Sequence, residues 1–122
     1  MTKNISTDDL LASIIKGIED VKGLDIDILD LRAIDNTVCD YFVICNGNSN
    51  TQVNAIVGSI QKLVSKELKD KPWHVEGTEN GEWVLMDYVN IVVHVFQKHI
   101  REYYRIESLW GDANITTIET KY

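Results

Sequence analysis

The feature that most constrains this 122-residue chain is the unbroken apolar run Tyr41-Phe42-Val43-Ile44-Cys45. Five consecutive apolar residues, four of them β-branched or aromatic, have no polar side to turn toward water and suit a strand buried on both faces. Whatever else the chain forms must cover that strand. Upstream, Ser6 and Thr7 can cap a helix whose apolar positions Leu10, Leu11, Ile14, Ile15, Ile18 and Val21 recur at three- and four-residue spacing, and Gly23 can end it. From Leu24 to Ile34 an imperfect alternation predicts a second strand with one buried face, an edge or outer strand of the sheet.

Downstream of the apolar run, Asn46 to Asn50 is a polar loop, and Ser49 or Asn50 can cap a long helix carrying Val53, Ile56, Val57, Ile60, Leu63, Val64 and Leu68, stopped by Pro72. Three short strands are expected at Trp73 to Glu76, Glu82 to Tyr88 and Ile91 to Gln97, then a short helix over Lys98 to Arg105. The order predicts an α/β fold: a mixed β-sheet of about five strands packed with two longer helices and a short C-terminal helix. Residues 1–110 form one domain, and the Thr-rich segment 111–122 is expected to be a loose tail. Two long helices are too few to cover both faces of such a sheet, so part of one face is candidate surface for a partner.

Lys and Arg number 12 against 19 Asp and Glu, a formal charge of −7, which disfavours diffuse attraction to nucleic-acid phosphates and favours a basic protein as partner. Two isolated cysteines make no disulfide framework, and no apolar run approaches the roughly 20 residues of a spanning helix, which points to a cytoplasmic chain without a membrane segment. Gly47-Asn48-Ser49, between a strand and a helix N-terminus, has the placement of a phosphate-holding turn. Nucleotidyl transfer would also need paired carboxylates on a following strand; Asp25 and Asp27 precede the turn, and Asp87 has Leu85 where its companion should be. His74, His94, His99, Cys39 and Cys45 have no metal-ligand spacing. Cys45 with His94 as base is a nucleophile only on paper, because Cys45 ends an apolar strand. No catalytic residue, metal or cofactor is expected.

His94 lies on one face with Val92 and Phe96 and reads as a sheet histidine, or as one bonding a partner. Trp83, Leu85 and Asp87 share one face of their strand, and Val84, Met86 and Tyr88 the other. An Asp beside a Trp on an exposed strand suits a Lys or Arg of a basic partner; packing of Trp83 in the core is the alternative.

Asp40 to Ser49, with Gln52-Val53 and Ala55-Ile56, resembles the central signature of the ribosome silencing factor (Iojap-like) family. Glu76-Gly77, Trp83 to Tyr88, Val92 to Phe96, Arg101, Tyr104, Glu107 and Leu109-Trp110 follow in that family's order and spacing, so the resemblance runs from about Leu10 to Trp110. It implies a nucleotidyltransferase-like fold without the catalytic carboxylates, and no enzyme activity. It further implies a homodimer that binds protein fourteen of the large ribosomal subunit and sterically blocks the small subunit, repressing translation under nutrient limitation. A large-subunit assembly factor is the alternative, and a nucleotide-binding protein using Gly47 and Ser49 a weaker one. Carried over to matching positions, the partner-binding residues are Trp83, Asp87 and Tyr88, helped by Glu76, Arg101, Tyr104, Leu109 and Trp110; the last three have fastening of the C-terminal helix as an alternative. Val89-Asn90 stands where the family commonly has Gly-Asp, and 111–122 extends past its usual end.

Overall fold

A computed structural model describes residues 5–37 and 39–122. Helix α1 (Thr7–Asp20) begins where the Ser6 hydroxyl accepts the Asp9 amide at 3.0 Å, with Asp8 and Asp9 in its first turn favoured by the helix dipole. Helix α2 (Asn50–Leu68) is capped the same way, Ser49 accepting from the Gln52 amide. It ends earlier than Pro72 would require: Lys69 turns left-handed and its amide closes onto the Ser65 carbonyl, so the C-cap, not the proline, stops the helix.

Six strands, β1 (Leu24–Asp30), β2 (Tyr41–Gly47), β3 (His74–Glu76), β4 (Trp83–Asp87), β5 (Ile91–Gln97) and β6 (Asn114–Thr117), form one mixed sheet in the order β3-β4-β5-β2-β1-β6. Only β2 and β5 are parallel, and they occupy the middle, as the apolar run demanded. Three expectations are corrected. The sheet has six strands rather than about five, because 111–122 is not a loose tail: β6 pairs antiparallel with β1, and the Ile118 amide reaches the Ile26 carbonyl. Consequently β1 is not an edge strand. The chain between β5 and β6 also forms two short helices rather than one, α3 (Lys98–Tyr104) and α4 (Ile106–Leu109), divided at Arg105, which is left-handed.

Both long helices pack on one sheet face. Leu10, Ile14 and Ile18 of α1 and Val53, Ile56, Val57, Ile60 and Val64 of α2 bury Val43, Cys45, Val84, Met86, Val93 and Val95. The helices meet closely at Gly17, where a Cβ would lie 2.9 Å from the Ile60 backbone. On the opposite face a smaller cluster, Leu29, Leu31, Ile44, Val92, Phe96 and Ile106, is roofed by α3, α4 and Trp110. The roof reaches β4 through Tyr104 of α3, which lies against Trp83, and leaves Trp83, Leu85 and Asp87 only partly covered.

Candidate docking face

Alternation along β4 puts Val84 and Met86 under the helices and leaves Trp83, Leu85 and Asp87 half-buried on the other face. The register sets Phe96, His94 and Val92 of β5 beside them, and Glu76 and His74 of β3 on the outer side. Trp83 is held rather than loose. Its ring stacks on Phe96 at 4.8 Å between centroids and meets Tyr104 at 5.1 Å, while its indole N–H donates to His94 Nδ1 at 3.2 Å. One side of this tryptophan is packed and the other is surface.

His94 accepts at Nδ1, so its proton resides on Nε2, which is buried without a hydrogen-bond partner among the described residues. Burial lowers its pKa to about 4, which keeps the ring neutral. Phe42 lies edge-on to the imidazole at 4.7 Å, and Trp110 edge-on to Phe42 at 5.4 Å, so Trp110 helps fasten the segment after α4.

Asp87 accepts the Val89 amide through Oδ1 at 2.7 Å, capping the β4–β5 turn, and makes no ion pair among the described residues. Asp87 also lines an open groove of about 370 Å³ with Trp73, Val89 and Val92. Trp73 is 81% exposed and Val89 59%. Trp73 and the exposed Tyr103 were not among the expected contact residues; the signal available for Trp73 was a tryptophan outside any apolar periodicity.

Two expected contact residues lie elsewhere. Tyr88 is only 5% exposed and belongs to the helix-covered face, since it is one residue on from Asp87 and a strand's side chains alternate. Arg101 is spent internally: its guanidinium pairs with Asp27 at 2.9 Å and Glu107 at 2.7 Å, and donates to Asn46 Oδ1 and the Asp25 carbonyl, with 12% of the side chain exposed. It clamps α3 and α4 to β1 and β2. Glu76 is exposed and bonds His74 at 2.6 Å, Tyr104 is half exposed over Trp83, and Leu109 is 77% exposed at the end of α4.

The other candidates are taken apart by the fold. The turn at Gly47 is closed by its own helix, Gln52 Oε1 accepting the Asn48 amide at 2.8 Å, and Asp27 is engaged by Arg101 and Thr117. Cys45 is fully buried, its thiol pushed up to about 12, and lies on the helix-covered face whereas His94 lies on the other. Among the described residues no group of three or more His, Cys, Asp or Glu is arranged to hold a metal, and no helix is long and apolar enough to cross a membrane.

Compared with known proteins, residues 4–121 match the family model described as "Ribosomal silencing factor during starvation". The match runs through the segment that carries β6. The chain is 38% identical over 115 residues to a ribosomal silencing factor of Halalkalibacterium halodurans, covering 94% of this chain and 97% of that one. It is 43% identical over 101 residues to that of Bacillus subtilis, covering 83% and 84%. A crystal structure of a Chromobacterium violaceum protein superposes with a TM-score of 0.82 at 36% identity, covering 88% of each chain.

Proposed function

This chain belongs to the ribosomal silencing factor family, and from that premise we propose that it represses translation by docking on the large ribosomal subunit and occluding the small one. The observation that carries the reading is the β4 face, where Trp83, Leu85 and Asp87 stand half-buried beside the exposed Glu76 and Tyr104. An aromatic and aliphatic floor flanked by the carboxylates of Asp87 and Glu76 suits an apolar patch of a ribosomal protein with a Lys or Arg beside it, and protein fourteen of the large subunit is the partner proposed. Leu109 and Trp110 border the same side of the sheet. Occlusion makes and breaks no covalent bond, so the requirements are a complementary patch and bulk enough to stand in the way of the small subunit. The same reading makes the chain a cytoplasmic homodimer, which sedimentation of the purified protein checks.

The test is sedimentation of mixed ribosomal subunits with and without added protein. Wild type is expected to travel with the large subunit and to reduce subunit joining. Asp87→Asn keeps the acceptor that caps the turn but removes the charge, and is expected to weaken binding about fivefold to tenfold with the fold intact. Trp83→Ala is expected to weaken it further. Wild-type protein that stays off the large subunit and leaves joining unchanged overturns the proposal; protein that travels with the large subunit without hindering joining points to an assembly role instead.

A further inference from the structure

The groove of about 370 Å³ at the margin of the docking face brings together residues of different chemistry: Trp73, Asp87, Val89 and Val92. Val92 lies opposite Asp87 in the β4–β5 register and is buried, while Trp73 and Val89 are exposed. Trp73 is set in place by its backbone, its amide donating to the Asp87 carbonyl at 2.6 Å just ahead of β3. One recess therefore offers an indole, two valine side chains and a carboxylate. Neither Trp73 nor Val89 belongs to either core cluster, so neither owes its place to packing, and a tryptophan left in water beside a charge is the kind of group a partner covers.

Charge decides what covers it. Asp87 makes no ion pair among the described residues; its Oδ1 accepts the Val89 amide, and a carboxylate with that one bond keeps further acceptor capacity. His74, its cross-strand neighbour on β3, is engaged by Glu76 at 2.6 Å, and no basic side chain lines the groove. A second groove of about 480 Å³ also includes Trp73 and Val89, but there Asp70 is accompanied by Lys71, so a charge of either sign meets a like neighbour. Of the two, only the first is apolar with a single negative charge. Its occupant is a side chain with a long aliphatic stem and a cationic head. Arginine suits it better than lysine, because a guanidinium is planar, sheds water more readily, stacks on an indole face and donates two parallel hydrogen bonds to a carboxylate.

We propose that this groove seats one arginine side chain of the protein that the β4 face meets on the large ribosomal subunit, its stem over Val89 and Val92 and its guanidinium between Trp73 and Asp87. The proposal rests on the proposed docking to the large subunit, and adds to it a residue outside β4, Trp73, and a defined seat for the partner's charge. It also gives Val89 a use. A β-branched residue held at φ 76° carries a backbone cost that an exposed side chain does not offset, and contact with the bound stem supplies the compensation.

The experiment titrates the full chain against purified large ribosomal subunits by sedimentation. Trp73→Leu keeps apolar bulk and removes the aromatic face; it is expected to weaken binding roughly threefold to tenfold with the melting temperature unchanged, and Trp73→Tyr to recover most of the loss. Trp73→Leu combined with Asp87→Asn is expected to cost less than the product of the two single losses, because both residues grip one side chain. Val89→Gly is expected to weaken binding while the melting temperature rises, opposite directions that a purely structural role would not give. In parallel, the Trp73 indole N–H resonance is followed in ¹H–¹⁵N spectra during addition of N-acetyl-arginine amide and, separately, N-acetyl-lysine amide, with the larger shift expected from arginine. Failure of the wild type to bind large subunits overturns the docking reading and this proposal with it. Wild-type binding that Trp73→Leu leaves undiminished, or single losses that simply multiply in the double variant, overturns the groove alone. Equal shifts from the two amides, or none, overturn the assignment to arginine.

Discussion

Val89 is the residue whose backbone is least suited to its side chain. A β-branched residue at φ 76° occupies the left-handed region that glycine enters freely, and its side chain is too exposed to recover the cost by burial. Val89→Gly is therefore expected to stabilise the chain by about 1 kcal/mol, a rise of roughly 3–6 °C in melting temperature by calorimetry. His94 makes a prediction of opposite character. Its folded pKa of about 4 lies below the ordinary histidine value near 6.5, so on acidification the unfolded chain takes up a proton first. Stability from this group is complete above about pH 6.5 and is lost as pH falls toward 4, by on the order of 3 kcal/mol. Asp30 and Glu67, whose carboxyls are held low by Arg32 and Lys16, lose their contributions only as pH falls through the ordinary carboxylate range, so the slope between about 5 and 6.5 is assigned to His94. Urea unfolding across that range is expected to show the slope in wild type and a much flatter one in His94→Gln.

Among the elements, β6 changes the architecture most. All four of its residues are exposed and the segment carries no long apolar run; its β-branched Ile115, Thr116 and Thr117 suit a strand but do not by themselves say where one would pair. What makes it one is the partner: β1 offers an open edge, the Ile118 amide bonds Ile26, and Thr117 Oγ1 donates to Asp27 at 2.7 Å. Truncation after Asp112 is expected to cost about 1–3 kcal/mol in denaturant unfolding and to remove hydrogen-exchange protection from the β1 amides that face β6, leaving β2 and β5 protected. Loss of the same protection throughout the sheet would mean that β6 is required for folding and is not an added edge. Helices α1 and α2, by contrast, were legible to within a residue or two, because capping hydroxyls and apolar spacing act within a single turn.

For the whole molecule, charge and topology act together. An excess of acidic residues gives the chain a net charge of −7, which favours encounter with a basic partner and is screened by salt. Large-subunit binding is expected to weaken several-fold between about 50 and 300 mM salt through slower association, and Asp87→Asn to flatten that dependence. A binding constant indifferent to salt would mean that the aromatic floor, and not the charge, drives docking. Sequence alone determined the buried middle strand, the two amphipathic helices, the mixed sheet and, through ordered motifs, the family, because each rests on spacing along the chain. Tertiary structure alone decided that Tyr88 faces the helices while Asp87 faces out, that Arg101 is consumed by Asp27 and Glu107 rather than offered to a partner, and that the tail closes the sheet. Those outcomes depend on which strand lies beside which and on carboxylates distant in sequence, and no local pattern of residues encodes such neighbours.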